Sequence, residues 1–369
     1  MGKRTPLHHV HAKSAQMGEF AGFDLPIAYE GILQEVLNTR RAASIFDVSH
    51  MGRFLVTGPD AAALLDFVTT AKISALDLKQ GRYCLLCNDG GGVLEDAIVF
   101  RVYDKGFLLV GNAARREFDL LWLSSHMGGF DASLKDLSES SIMFAIQGPE
   151  SQERLQALCS GDLSGIRRFR GEWVEIFGEE AFLTRTGYTG EDGFEATFFR
   201  LEGAERVWDG LLSAGFKPAG LGARDVLRIE AGLPLYGKEL NESVTPIDAG
   251  LSFAVSMEKD DFIGKEAIGE ILRRGRRKFL VGIRMEERCV PREGYPLFVD
   301  GEMVGEITSG TFSPVLRAGI GLGYSSRRLD PGSPISISVK GEFKMCRVSK
   351  IPFYESKAHA SRRPTQEEK

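Results

Sequence analysis

Residues 83–100 read YCLLCNDGGGVLEDAIVF, and the fold of the chain follows from how this stretch is taken. Two apolar runs flank Asn88-Asp89-Gly90-Gly91-Gly92, residues that tolerate the positive φ of a tight turn, so the stretch predicts a β-hairpin. With a period of two, Leu94, Asp96, Ile98 and Phe100 share one face of the second strand; Val93, Glu95, Ala97 and Val99 share the other. Both faces are apolar apart from the adjacent Glu95–Asp96 pair, the pattern of a strand covered on both sides. A carboxylate among such neighbours loses hydration and is pushed toward its neutral form unless a partner compensates. Either chemistry or a ligand needs that group, or one of the pair lies at a strand edge and touches water.

The chain has 369 residues, 43% hydrophobic and 26% charged, enough for a sizeable core in two or three domains. A net charge of −5 gives a general nucleic-acid role no support. No run of about 18 apolar residues occurs, so no membrane span is expected, and the start MGKRTPLHHVHAK lacks the apolar core of a secretion signal. Five cysteines (Cys84, Cys87, Cys159, Cys289, Cys346) form no disulfide framework, which suits a reducing compartment. Cys84 and Cys87 stand C-x-x-C inside a strand with no second pair to complete a zinc site, and read as structural. His8, His9 and His11 have no carboxylate or cysteine at ligand spacing, so no metal is expected there.

Upstream of the hairpin come a turn-rich stretch (FAGFDLPIAYEG, 20–31) and a helix over 30–43 with the stripe Ile32, Leu33, Val36 and Leu37. A mixed segment 44–51, a strand 53–56 and a helix capped by Asp60 follow. Downstream, a strand over 106–110 ends at Gly111-Asn112-Ala113, and a helix runs to about residue 127. The middle third repeats the alternation: strand 142–146, a helix begun by Pro149, strands 173–177 and 181–185, the turn 187–193, then a strand with Glu195 and Thr197 on one face. Helices are expected near 203–214, 222–232 and from about 264. The last ends in Arg273-Arg274-Gly275-Arg276-Arg277-Lys278, a domain boundary that reads as a helix C-terminus in a solvated linker or, alternatively, as a dock for an acidic partner protein or a poly-anionic ligand tail. Residues 279–355 carry only short strands with Gly and Pro punctuation and predict an all-β barrel or sandwich; the charged residues 356–369 predict a disordered tail. The fold class is α+β.

Common chemical signatures are missing. No G-x-G-x-x-G follows the first strand, so no Rossmann flavin or nicotinamide site is expected, and there is no P-loop, H-E-x-x-H or G-x-S-x-G. What remains is a set of polar and aromatic residues on turns and strand ends: Tyr83, Asp96, Asn112, Tyr188 and Glu195, with Arg224 and Arg228 four apart on one helix face. Asp225 can pair locally with either arginine.

Six motifs, in order, then carry a resemblance. They are FAGFDLPIAY (20–29), FDVSHM (46–51), Gly91-Gly92-Val93-Leu94-Glu95-Asp96, GYTGEDGFE ending at Glu195, GARDVLRIEAGL (222–233) and VSKIPF (348–353). Together the chain resembles the T protein of the glycine cleavage system, an aminomethyltransferase family, over about residues 4–355. Phe23 stands where that family usually has tryptophan, which bears on substrate choice, and Glu95 where a second aspartate is usual. The chain lacks the flavin domain of the fused dehydrogenase relatives. It also lacks the Lys-Gly-Cys-Tyr motif of the iron–sulfur-assembly relatives, having Thr186-Gly187-Tyr188 there.

The resemblance implies two interleaved ferredoxin-like α+β domains (1–52 with 139–278, and 53–138) plus a C-terminal Greek-key β-barrel (279–355) around a central folate cleft. It implies transfer of a one-carbon unit from the aminomethyl-lipoyl arm of H protein to tetrahydrofolate, with release of ammonia and no metal, flavin or nicotinamide. Asp96 matches the catalytic aspartate, whose work is to orient the pterin and stabilise developing positive charge, or to share in proton transfer. Glu195 matches the pterin-binding glutamate, Tyr188 an aromatic wall, and Arg224 a substrate-binding arginine with Arg228 as its rival. Asn112, Tyr83, Met51 and Tyr236 are expected to line the pocket, and Tyr354 to close it from the β domain. The expected compartment is the bacterial cytoplasm, or the mitochondrial matrix for a eukaryotic source. The other activities compatible with these residues are a tetrahydrofolate-dependent demethylase of a small methylated compound and a non-catalytic folate-binding regulator.

Overall fold

The computed structural model of the chain describes residues 2–356. The hairpin forms as the alternation requires: strands Gly81–Cys87 and Val93–Tyr103 pair antiparallel, with Leu85 opposite Asp96 and Leu86 opposite Glu95. Val93, Glu95, Ala97 and Val99 are buried; on the other face Leu94 and Phe100 are buried while Asp96 and Ile98 are only partly so. The third glycine of the turn is required by contact. A Cβ on Gly92 would stand 1.8 Å from the carbonyl oxygen of Glu242, and the next residue, Val93, donates its N–H to Val244 O at 2.9 Å.

The hairpin lies at one edge of a five-stranded sheet ordered Gly81–Cys87, Val93–Tyr103, Gly106–Gly111, Gly52–Thr57, Ser133–Asp136. A six-stranded sheet repeats that order with Gly171–Ile176, Glu179–Thr184, Gly193–Phe198, Ile142–Gln147 and Ser44–Asp47, and adds Lys217–Pro218 in parallel at its end. The two pack face to face around Phe100, Leu108 and Val110 from the first and Met143, Ala145 and Phe182 from the second; Phe100 meets Phe182 edge-on at 5.9 Å. They also exchange backbone bonds: Gly81 N–H donates to Phe169 O (2.8 Å) and Gly171 N–H to Lys79 O (2.7 Å). Lys79 and Phe169, each just before that exchange, take positive φ of 63° and 56°. Such pairwise strain is held because both strand edges depend on it.

Residues beyond the second sheet return to the first. Leu240, Val244, Ile247, Phe262 and Ile268 pack on Leu85, Cys87 and Val93, covering the hairpin end. Six further strands close into a barrel, ordered Phe279–Met285, Ala318–Ser325, Glu302–Ser313, Pro296–Val299, Pro334–Val339, Glu342–Ser349, so no edge is left open. Polar groups fix the barrel to the body: Thr308 Oγ1 donates to Glu239 (2.6 Å), Arg228 Nη2 to Ser309 Oγ (2.8 Å) and Ser313 Oγ to Glu230 (2.5 Å).

Several local expectations change. The turn-rich opening is a hairpin, Gln16–Phe20 with Phe23–Ala28, because Ala21 and Gly22 both take left-handed φ (51° and 77°) and turn the chain in two residues. The helix over 30–43 is Ile32–Arg41, and its buried face follows the apolar stripe only in part, with Val36 in the core and Ile32 packed against it. Leu33 is 46% exposed while Glu35 is buried, because the Glu35 carboxylate accepts N–H groups from Tyr29, Glu30, Gly31 and Gly220. Pro149 precedes its helix, which spans Ser151–Gln156, and Ser133–Asp136 is a strand that polarity hid. His8, His9 and His11 each pair with a carboxylate distant in sequence: Asp24, Glu205 and Asp47. The predicted tail falls outside the described residues, apart from buried Ser356.

Candidate functional site

Asp96 stands five residues beyond the left-handed Gly91, on the hairpin strand. The Tyr83 hydroxyl donates to its Oδ2 (3.0 Å) and Asn112 Nδ2 to its Oδ1 (2.8 Å). Tyr83 reaches across from the paired strand, and Asn112 follows the end of the strand on the other side, so the sheet register aims both donors at one carboxylate. Burial still dominates and raises Asp96 to about 6, against the two hydrogen bonds that favour its anion. The same Asn112 holds Glu95, whose Oε1 accepts its backbone N–H (3.0 Å) and Nδ2 (2.5 Å). Glu95 is buried, and desolvation with the charges of Asp119 and Asp96 pushes it well above the carboxylate range. Glu95 therefore lies inside the fold, not at a wet strand edge, while Asp96 beside it is half-buried.

The second sheet supplies the other half. Glu195 is buried mid-strand, accepts the Thr186 hydroxyl at 2.6 Å, and is raised by burial against Thr186 and the Arg224 charge. Arg224 lies over the Tyr188 ring (4.9 Å), with Nη2 3.7 Å from Met51 Sδ; its Nη1 is buried and makes no hydrogen bond among the described residues. The Tyr188 hydroxyl donates to Pro234 O at 2.5 Å, and its acidity is suppressed by burial and, from the first sheet, by the charge of Asp96. Asp96, Tyr83, Tyr188, Arg224 and Glu195 thus form one electrostatically connected set drawn from both sheets.

Arg228 is spent elsewhere. Its guanidinium donates to Asp225 (2.8 Å), Glu239 (2.8 Å), Ser309 (2.8 Å) and Leu233 O (3.3 Å), clamping helix, loop and barrel together. Arg224, four residues back, is the arginine with a free donor. Tyr236 lies under the Arg115 guanidinium (4.8 Å), beside the Glu95 cluster. Tyr354 stands over Arg40 (4.2 Å) in a separate buried network with Glu191 and Glu230, whose link to the set runs through the Arg40 bond to Thr189 O (2.8 Å).

Three groups escaped sequence reasoning. Thr186 continues the face of Thr184 by a step of two, a pattern that could have flagged it. His50, held near 3 by burial and by the Arg224 charge, stands between Phe20 and Phe23 and stays neutral. Asp119, on the helix after Asn112, is fully buried beside Glu95. Among the described residues no group of three or more His, Cys, Asp or Glu is arranged to hold a metal ion.

The GCVT N-terminal domain model matches residues 7–259, and the glycine cleavage T-protein C-terminal barrel domain model matches residues 278–355. The chain is 43% identical over 357 residues to an aminomethyltransferase of Rubrobacter xylanophilus, covering 96% of this chain and 95% of that one. It is 41% identical over 362 residues to the aminomethyltransferase of Geobacillus kaustophilus, covering 96% and 99%. The crystal structure of glycine cleavage system aminomethyltransferase T from Bartonella henselae superposes with a TM-score of 0.89 at 34% identity, over 96% of this chain and 99% of that one. By both of its matching domains and by its full-length relatives, the chain belongs to the glycine cleavage T-protein family.

Proposed function

We propose that this chain is the aminomethyltransferase of a glycine cleavage system, moving the one-carbon unit of an aminomethyl group, carried on the lipoyl arm of an H protein, to tetrahydrofolate and releasing ammonia. Asp96 carries the proposal: a carboxylate held by two side-chain donors in an apolar strand and poised at about 6. Full-length relatives named aminomethyltransferase support it.

Tetrahydrofolate supplies the two nitrogens, one in the pterin ring and one outside it, that take up the carbon. The residues present suit it, because Arg224 keeps a buried, unengaged donor beside Glu195 for a ligand that brings acceptors. Glu195 binds the pterin, its carboxylate accepting the two parallel N–H groups of a 2-amino-4-oxo pyrimidine. Tyr188 forms an aromatic wall. Met51, Tyr236 and Tyr354 line or close the pocket. Tyr83 and Asn112 hold Asp96 in one orientation, so its anion faces the positive charge that develops as nitrogen attacks carbon, without reorganising. Near neutrality the same carboxyl can also take a proton in that step.

In domain terms, residues 1–52 with 139–278 and residues 53–138 form the interleaved pair, and 279–355 the barrel domain. No helix of the described residues is long and apolar enough to cross a membrane. The bacterial relatives support the bacterial cytoplasm as the compartment.

The test mixes the purified chain with tetrahydrofolate and aminomethyl-loaded H protein and follows both ammonia and methylene-tetrahydrofolate. Equal formation of the two is expected. Folded protein that yields neither overturns the proposal.

A further inference from the structure

Behind Asp96 lies a second acidic pair that the transfer does not use directly. Glu95 and Asp119 are both fully buried, and both close on Gly111: a Cβ there would stand 3.2 Å from Asp119 Oδ2 and 3.6 Å from Glu95 Oε1. Glu95 Oε2 and both oxygens of Asp119 make no hydrogen bond among the described residues. Among the described residues the cation whose charge reaches Asp119 is Arg115, and it bonds to neither acid. Arg115 is flattened between the rings of Phe118 (3.7 Å) and Tyr236 (4.8 Å), with Nη2 4.0 Å from Glu242. Besides these, the titratable groups facing the pair are Asp96 on the same strand and Cys84 on the paired one.

Two dry carboxylates without a bonded cation do not both ionise, because each charge lacks water and repels the other. We propose that Glu95 and Asp119 retain a proton between them, and that Asp119 is thereby a positioning residue: it keeps Glu95 fixed on Asn112, and Asn112 keeps Asp96 aimed into the site. Burial, which raises Asp119 to about 8 and pushes Glu95 well above the carboxylate range, acts in the same direction. With the pair protonated, Asp96 is left as the acid of this cluster that ionises near neutral pH. Loss of the pair's proton at higher pH would set a second negative charge against Asp96 and loosen the hold of Asn112.

The proton can be read without turnover. Infrared difference spectra of the folded, unliganded chain at neutral pH, wild type minus Asp119→Asn, are expected to show the carbonyl band of a protonated carboxyl. Its absence, and its absence also in wild type minus Glu95→Gln, overturns the proposal. Turnover gives a second arm, resting on the function proposed above. Asp119→Ala should lower kcat roughly ten- to hundredfold through misplacement, with KM for tetrahydrofolate changed less than about threefold. Asp119→Asn, the same shape with a donor in place of the proton, should restore most of kcat and remove the fall at alkaline pH. Equal damage in both variants, or an alkaline limb unchanged in Asp119→Asn, overturns the positioning role. A wild-type chain without turnover sinks the aminomethyltransferase proposal instead and leaves the infrared result to stand alone.

Discussion

The two sheets are built to one plan, yet they treat the same strand positions in opposite ways. Gly52 opposite Gly111 and Ile142 opposite Phe198 mark equivalent points, and from there Glu195 occupies the place that Leu108 holds in the first sheet. Counting from Gly81 opposite Phe100 and Gly171 opposite Thr184, the counterpart of Asp96 is Glu180, paired with Glu175 and exposed to solvent. A carboxylate at a hairpin end is therefore ordinary in this architecture. What makes Asp96 different is the lid of Leu240, Val244, Ile247, Phe262 and Ile268 that covers one hairpin and has no counterpart among the core contacts of the other. The repeat supplies two acid-bearing strands, and the third segment covers only one of them.

Breaking the acid itself has the largest expected effect. Asp96→Asn should retain tetrahydrofolate binding and lose about 10²- to 10⁴-fold in kcat, the range for a positioned acid or base. Glu180→Gln, its counterpart, should change kcat by less than about twofold, in line with a surface substitution. Next comes the seam with the barrel. Arg228→Ala strands Glu239 in the interior and should destabilise by about 3–5 kcal/mol in denaturant unfolding. Arg224→Ala, with a donor unengaged, should leave stability nearly untouched and weaken folate binding instead. Equal stability losses would erase the distinction drawn between the two arginines. Glu195→Ala should weaken pterin binding by roughly 2–5 kcal/mol in titration calorimetry, and a small change would locate the pterin elsewhere.

A pH series sharpens the contrast further. Because burial raises Asp96 from the ordinary carboxylate range to about 6, the stability it contributes as a neutral acid is full at low pH and is lost as pH rises through about 6. Asparagine at 96 does not titrate. Its stability relative to wild type should therefore improve by up to about 3 kcal/mol between about pH 4 and pH 7, and Glu180→Gln should show no such slope. The smallest effect tests the repeat itself. A methyl at Gly81 or Gly171 would meet the ring of Phe100 or Phe182 at 2.3 Å or 2.4 Å, so each Ala variant should cost about 1–3 kcal/mol, and the two costs should agree.

Features written locally were legible in the sequence. The hairpin, the two faces of its second strand and the all-β texture after 279 depend on alternation and turn residues, and they are in the structure as read. Glu35, Thr186 and Asp119 were not legible in that way, because each owes its place to groups far along the chain or across a sheet. The Gln16–Ala28 hairpin was masked by an alanine at a left-handed turn position and a proline inside a strand. The expectation that Glu195 meets a pterin rests on resemblance alone, since spacing does not name a ligand.

The covering segment has a consequence for biosynthesis. Residues 240–268 lie well over a hundred positions downstream of the hairpin they enclose. A ribosome therefore releases Asp96 into water long before the apolar residues that cover its hairpin have been made. Until then the nascent polypeptide carries a commonplace surface acid, and the cover over its hairpin arrives only once residue 268 has emerged.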